Sequence, residues 1–305
     1  MTNVSDHSPA PFHSGFIAIC GPPNAGKSTL LNRLTGEKIS ITSRKPQTTR
    51  NRILGVVNRD TAQLVFMDTP GIFRAKGQLN TRIVDTAVSA MSDVDVILLM
   101  IDIAAPPHRD GENLSLQRLH QIKKPVILAL NKIDNIKKPQ ILEAIDRWRN
   151  SYEFDQIIPI SAKHGLQTEE LMEAVEALLP EGFPLFPEDI LTDVPVRFIA
   201  AEMIREKVFR LTGQEIPYAT AVTIDTFTEA PDDNRITIQA TIHVEKNSQK
   251  GIIIGKRGAM LKKIGQQSRQ DIQRLTGARV FLELFVRVQR KWSSNARILK
   301  DFGYS

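Results

Sequence analysis

An apolar run, Phe16–Cys20, leads straight into Gly21-Pro22-Pro23-Asn24-Ala25-Gly26-Lys27-Ser28, and a helical pattern continues over Ser28–Thr35. A strand that turns through G-x-x-x-x-G-K-[ST] into a helix gathers backbone N–H groups and a helix N-terminus around an anion. Glycines let the main chain approach phosphate oxygens, Lys27 reaches the outer ones, and the Ser28 hydroxyl suits a Mg²⁺ ion. The phosphate-binding set is Gly21, Pro22, Pro23, Asn24, Ala25, Gly26, Lys27, Ser28 and Thr29. Beyond this unit, short apolar runs alternate with helical patterns, as in a mainly parallel sheet whose strands are joined by helical crossovers. The runs are Leu64–Met67, Val96–Ile101, Val126–Leu130 and Ile157–Ile160, and the helical patterns Thr81–Ser92, Glu112–Gln121, Ile141–Arg149 and Glu169–Leu178. This predicts an α/β domain with a doubly wound, mostly parallel sheet over residues 15–180. Arg52–Asn58 and Thr61–Met67, separated by two residues, predict one antiparallel edge hairpin.

Residues 1–14 carry no periodic pattern and are expected to be disordered, with no secretory signal. Prolines and a glycine punctuate residues 181–195, the expected interdomain linker. Beyond it the order becomes helix (Arg197–Leu211), strand (Ala219–Phe227), strand (Arg235–Glu245), loop, helix (Gly258–Leu275) and strand (Arg279–Arg287). Two successive strands flanked by helices predict a smaller α+β domain over residues 196–305.

Three further motifs address the rest of a nucleotide. In Asp68-Thr69-Pro70-Gly71, Asp68 can hold a Mg²⁺-bound water and the Gly71 amide can meet a γ-phosphate and release it. Thr48 and Thr49 both offer a second metal-ligating hydroxyl, with Thr49 favoured. Asn131-Lys132-Ile133-Asp134 and Ser161-Ala162-Lys163 suit guanine. The Asp134 carboxylate accepts from N1–H and the exocyclic amine, which adenine lacks, so adenine would leave a buried charge unpaired. Asn131 ties the loops together, the Lys132 stem packs on the ring, and the Ala162 amide reaches the base carbonyl. Ile72 stands where many GTPases carry a water-orienting glutamine. Slow intrinsic hydrolysis is therefore expected, with Asn24 offering a place for K⁺. The catalytic set is Lys27, Asn24, Thr49, Asp68 and Gly71, and the metal set is Ser28, Thr49 and Asp68, the last through water.

Charge distribution points to a second ligand. Net charge is +6, yet residues 246–300 hold 14 Lys and Arg against 2 Asp and Glu, and the remaining 26 basic and 32 acidic residues are net negative. One basic surface facing a polyanion is the natural reading. Within it Ile253-Ile254-Gly255-Lys256-Arg257-Gly258 followed by Lys262 and Lys263 has the layout of a KH loop: glycines admit a nucleic-acid backbone, the cations meet phosphates, and the isoleucines line a groove for bases. The tail residues Lys291, Trp292, Arg297, Lys300 and Tyr304 either clamp RNA or pack on the small domain. The single Cys20 excludes an internal disulfide, and the six histidines show no metal-ligand spacing.

Gly21–Ser28, Gln47-Thr48-Thr49-Arg50-Asn51, Asp68–Gly71, Asn131–Asp134, Ser161–Lys163 and Gly255–Gly258 together make the chain resemble the Era family of bacterial GTPases over nearly its whole length. The resemblance implies a Ras-like P-loop GTPase domain joined to a KH domain of the second topological type. It implies a switch comprising Gln47, Thr48, Thr49, Arg50, Asn51, Asp68, Thr69, Pro70, Gly71 and Ile72. It also implies GTP or GDP with Mg²⁺ as ligand, the 3′ end of small-subunit ribosomal RNA and the small ribosomal subunit as partners, and a role in maturation of that subunit. A monomer in the cytoplasm, loosely associated with the inner membrane, is expected. The alternatives are a non-catalytic RNA-binding scaffold and a peripheral-membrane signalling GTPase.

Overall fold

The structure, a computed structural model, describes residues 11–43, 45–46, 48–213 and 216–304. Its larger sheet has six strands in the order β2-β3-β1-β4-β5-β6: β1 (His13–Cys20), β2 (Ile53–Asn58), β3 (Ala62–Asp68), β4 (Val96–Asp102), β5 (Val126–Asn131) and β6 (Gln156–Ile160). All pairings are parallel except β2 with β3, which form the expected antiparallel hairpin. The central strands are apolar on both faces because helices cover both: α1 (Lys27–Thr35), α2 (Gln78–Ser92), α3 (Arg109–Leu119), α4 (Lys138–Arg149) and α5 (Thr168–Glu176). Strand β1 lies between β3 and β4 while the chain continues to β2, so the strand order reverses at its carboxyl end. A crevice opens there, and the phosphate loop sits at its lip.

Strand β1 begins at His13, inside the terminus expected to be disordered. Its start is pinned by His13 N–H to Thr61 O and Ser14 N–H to Pro180 O. The proline-rich stretch 181–195 is strapped to the sheet edge. Leu185 and Phe186 both donate to Gln63 Oε1, Val56 donates to Leu191 O, and Thr192 Oγ1 donates to Leu54 O.

The second domain runs α6 (Val196–Leu211), β7 (Ala221–Ala230), β8 (Arg235–Val244), α7 (Asn247–Ile254), α8 (Ala259–Thr276) and β9 (Arg279–Val288). Strand β8 is central, antiparallel to β7 and parallel to β9. This is the αββααβ order of a type II KH domain, as expected. Ile236, Ile238, Ala240, Ile242 and Val244 alternate along β8 toward the helices and are all buried. Ile264, Ser268 and Ile272 present one face of α8 at helical spacing, also buried. Helix α7 stands where the sequence reads as loop and apolar run. Its isoleucines are poor helix formers, but Gln249 caps the first turn by accepting from Lys246 N–H, and Ile253 drops into the core. Ile253, expected to line an RNA groove, is fully buried and serves packing; Ile254 is half-exposed and Ile252 exposed.

The tail turns through Trp292 into α9 (Ala296–Asp301), capped by Asn295 Oδ1 accepting from Arg297 and Ile298 N–H. Trp292 is fully buried and Tyr304 nearly so, packed with Phe73, Leu79 and Ile83 of the first domain. These buried aromatics close the seam between domains and are not offered to RNA.

Candidate functional site

The loop after β1 needs its glycines. Gly21 has φ +133°, and a Cβ there would lie 2.2 Å from Met100 O; Gly26 has φ +104°, and a Cβ would lie 2.2 Å from Asn131 Nδ2. Lys27 curls over the loop and donates to Gly21 O (3.1 Å) and Pro22 O (2.9 Å). Burial lowers its pKa to about 8 against the pull of Asp68. A buried ammonium whose hydrogen bonds, among the described residues, go to loop carbonyls is a donor poised for a polyanion.

Below it, four oxygens cluster. Ser28 Oγ donates to Asp68 Oδ2 at 2.5 Å and lies 2.8 Å from Thr49 Oγ1; Ser40 Oγ donates to the same carboxylate oxygen at 2.7 Å. Thr48 instead turns its hydroxyl to Lys45 O, so geometry separates the two threonines that pattern could not. Burial raises the Asp68 pKa despite these hydroxyls, and its Oδ1 is buried without a hydrogen-bond partner among the described residues. Hard oxygen donors around a lone carboxylate acceptor suit a small divalent cation such as Mg²⁺. The segment Asp68–Ile72 is tied back to β1 through Thr69 Oγ1 to Ile19 O and to the loop after it through Ile72 N–H to Gly21 O. Pro70 is buried, and Gly71 packs so closely on Pro23 that a Cβ would lie 2.8 Å from its Cα. Ile72 is buried. Asn24 adopts a left-handed conformation, φ 64°, at the tip of the loop.

Asn131 joins the loops, donating to Ala25 O (2.7 Å) and accepting from Ala162 N–H (3.0 Å). The Ala162 amide, expected to face a base, is therefore already engaged. Asp134 is oriented by the Ser161 hydroxyl at 2.6 Å, and Lys132 is paired with Asp102 at 2.5 Å. Lys163 offers its carbonyl to Arg33. A cleft of about 860 Å³ has a lining that includes Asn24, Gly26, Lys27, Ser28, Thr29, Thr48, Thr49, Gly71 and Lys132, whereas Asn131, Asp134, Ser161, Ala162 and Lys163 lie outside that lining. Gln47 lies outside the described residues, and Asn51 follows Thr48–Arg50 at the foot of β2.

The second domain reaches this cleft, which sequence alone did not signal. Lys45 donates to Phe209 O and Thr212 O, capping the carboxyl end of α6. Arg205 donates to Thr48 O at 2.5 Å. Arg50, almost wholly buried, donates to Thr220 O (2.8 Å), Tyr218 O (2.9 Å) and Tyr304 Oη (3.2 Å). Glu206, its side chain fully buried, accepts from Lys38 (2.6 Å), Lys207 (3.0 Å), Arg210 (3.0 Å) and Thr42 N–H (2.9 Å). Burial alone would raise its pKa, but Lys38 and the other donors hold it below the usual carboxylate range. Lys38, Thr42, Lys45 and Thr48 are thus clasped by α6.

Far along the second domain, Gly255 (φ +70°), Arg257 (φ +51°) and Gly258 (φ +79°) turn α7 into α8. Lys256, Arg257, Lys262 and Lys263 are exposed around that turn. Gly255 cannot carry a side chain, since a Cβ would lie 2.7 Å from Met260 Cβ.

Residues 16–132 match the family described as 50S ribosome-binding GTPase, and residues 215–293 match the KH domain. The chain is 55% identical to GTPase Era of Geobacter sp. strain M21 across 96% of its own length and 98% of that protein. GTPase Era of Geotalea daltonii is 54% identical over the same shares. A crystal structure of an Aquifex aeolicus Era variant bound to GDP·AlF4⁻ is similar with TM-score 0.92 and 42% identity, covering 96% of this chain and 100% of that one. An Era complex with MgGDPNP and nucleotides 1506–1542 of 16S ribosomal RNA is similar with TM-score 0.92 and 41% identity, covering 96% and 99%. With the same two domains in the same order over nearly the full length of both chains, this chain belongs to the GTPase Era family.

Proposed function

We propose that the cleft binds GTP and hydrolyses it to GDP and phosphate, and that its nucleotide state governs binding of single-stranded RNA at the Gly255–Gly258 turn. The target is the 3′ end of small-subunit ribosomal RNA, and the role is maturation of the small ribosomal subunit. Lys27 and the loop amides bind the phosphates, Asp134 selects guanine, and the Gly71 amide reports the γ-phosphate. Ser28 and Thr49 would hold Mg²⁺ directly and Asp68 through water; the ion would neutralise charge that develops on the phosphates. Since buried Ile72 cannot orient water, Asn24 is assigned a K⁺ that supplies the missing positive charge. Turnover should then be several-fold faster in potassium than in sodium buffer, a difference that Asn24→Ala erases; equal rates in both salts would remove K⁺. Ile254, Gly255, Lys256, Arg257, Gly258, Lys262 and Lys263 receive the RNA backbone and bases. Among the described residues no helix is long and apolar enough to cross a membrane, and contact with the inner-membrane surface would rest on the same cations.

The observation that carries the coupling is the clasp of Thr42–Arg50 by α6: whatever moves the switch moves the domain that bears the RNA turn. A short 3′-terminal ribosomal RNA oligonucleotide should bind more tightly to protein loaded with GDPNP than with GDP, measured by fluorescence anisotropy. Equal affinity in both states would defeat the coupling.

A further inference from the structure

The nucleotide cleft is lined on one side by residues that do not belong to the GTPase domain. Phe209 and Arg210, from the last turn of α6, line it together with Thr42, Asn24, Lys27 and Ser28. Arg210 donates to Thr42 O (3.0 and 3.2 Å) and Thr42 Oγ1 (3.0 Å) and pairs with Glu206 at 3.0 Å. Glu206 is already shared with Lys38, Lys207 and the Thr42 amide, so it neutralises Arg210 only in part. The guanidinium side chain is 45% exposed, which leaves it room to turn. A planar donor fork on the wall of a cleft that takes a polyphosphate matches what arginine does best.

Resting on the proposed guanine-nucleotide reading of the cleft, we propose that Arg210 is itself a phosphate ligand. The nucleotide site is composite, and the second domain contributes a charge to it. A bound polyphosphate would draw the fork from Thr42 O, trading a neutral acceptor for an anionic one. The nucleotide would thereby span the two domains, and its removal would return the fork to Thr42 O.

The test uses the full-length protein and a fluorescent GTP analogue with Mg²⁺, titrated at several salt concentrations, with thermal melting of the unliganded variants as a folding control. Arg210→Gln should weaken binding about tenfold, the loss of one charge-assisted hydrogen bond, and should make the salt dependence of affinity shallower. Arg210→Lys should keep the salt dependence but recover only part of the affinity. A residue that merely holds Thr42 would lower affinity with an unchanged salt dependence, and that result, or unchanged affinity, overturns the proposal. If the wild-type protein binds no guanine nucleotide, the reading of the cleft fails first, which is a separate outcome.

Discussion

In the proposed reading, base choice rests on Asp134, whose carboxylate is held in place by a neighbouring hydroxyl. The Ser161 hydroxyl holds one carboxylate oxygen at 2.6 Å, so the group is oriented before any ligand arrives. Replacing it by asparagine turns one acceptor into a donor and sets it against N1–H and the amine of guanine. Asp134→Asn should cost about 100-fold in GTP affinity, while xanthosine triphosphate, which presents a carbonyl in place of the amine, should gain; nucleotide competition measures both. Trp292 shows the opposite kind of importance. It touches no ligand, yet it is fully buried, stacks on Tyr304, and donates through Nε1 to Ala219 O at 3.1 Å. Trp292→Ala should cost about 3–5 kcal/mol, read by chemical denaturation. Its basic neighbours leave an RNA clamp and packing equally open in the sequence, and burial is decided by what the tail meets after folding.

Helix α6 does two jobs with one stretch of sequence. Ile199, Ala200, Met203 and Ile204 pack into the apolar core, while Glu202, Arg205, Glu206 and Lys207 are buried in the seam with the first domain. Buried charges need partners, and these find them in Lys38, Asp271, Thr42 and Thr48. The folded-state pKa values of both Glu206 and Asp271 are depressed: burial opposes this, and the Lys38 and Lys207 ammonium groups prevail. Such groups stabilise the fold fully above their unfolded pKa values, about 4, and that stabilisation is lost as pH falls through the lower folded values. Stability should therefore decline below about pH 4, and Glu206→Gln should flatten that decline in acid-titrated melts. The elements of the first domain were legible because parallel strands buried on both faces read as unbroken apolar runs, and because its motifs lie at their ends. Helix α7 was not legible, since three successive isoleucines favour a strand and only the packing of Ile253 reverses the preference. Lys45 and Arg210 were invisible for another reason: their importance arises from contacts spanning more than 160 residues of sequence, which no local pattern encodes.

At the scale of the molecule, the proposed coupling of the two binding regions through the seam would be reciprocal: RNA would alter nucleotide affinity by the same factor as nucleotide alters RNA affinity. Charge reversal of Lys256 and Arg257 should nearly abolish RNA binding and leave nucleotide isotherms measured without RNA unchanged, because those residues lie beyond the seam. Arg50→Ala should leave each ligand bound by the isolated logic of its own site but erase the dependence of RNA affinity on GDPNP, as paired anisotropy titrations would reveal. Lys45, Arg50, Arg205 and Arg210 share a further trait: each ends on main-chain oxygens across the seam. A carbonyl is present whatever side chain its residue bears. Mutational drift at Thr42, Thr48, Thr212, Tyr218 and Thr220 can thus proceed without disturbing those acceptors, whereas the four cations have no such latitude. A saturation scan of the seam should come out lopsided, tolerant where oxygen is offered and intolerant where hydrogen is given.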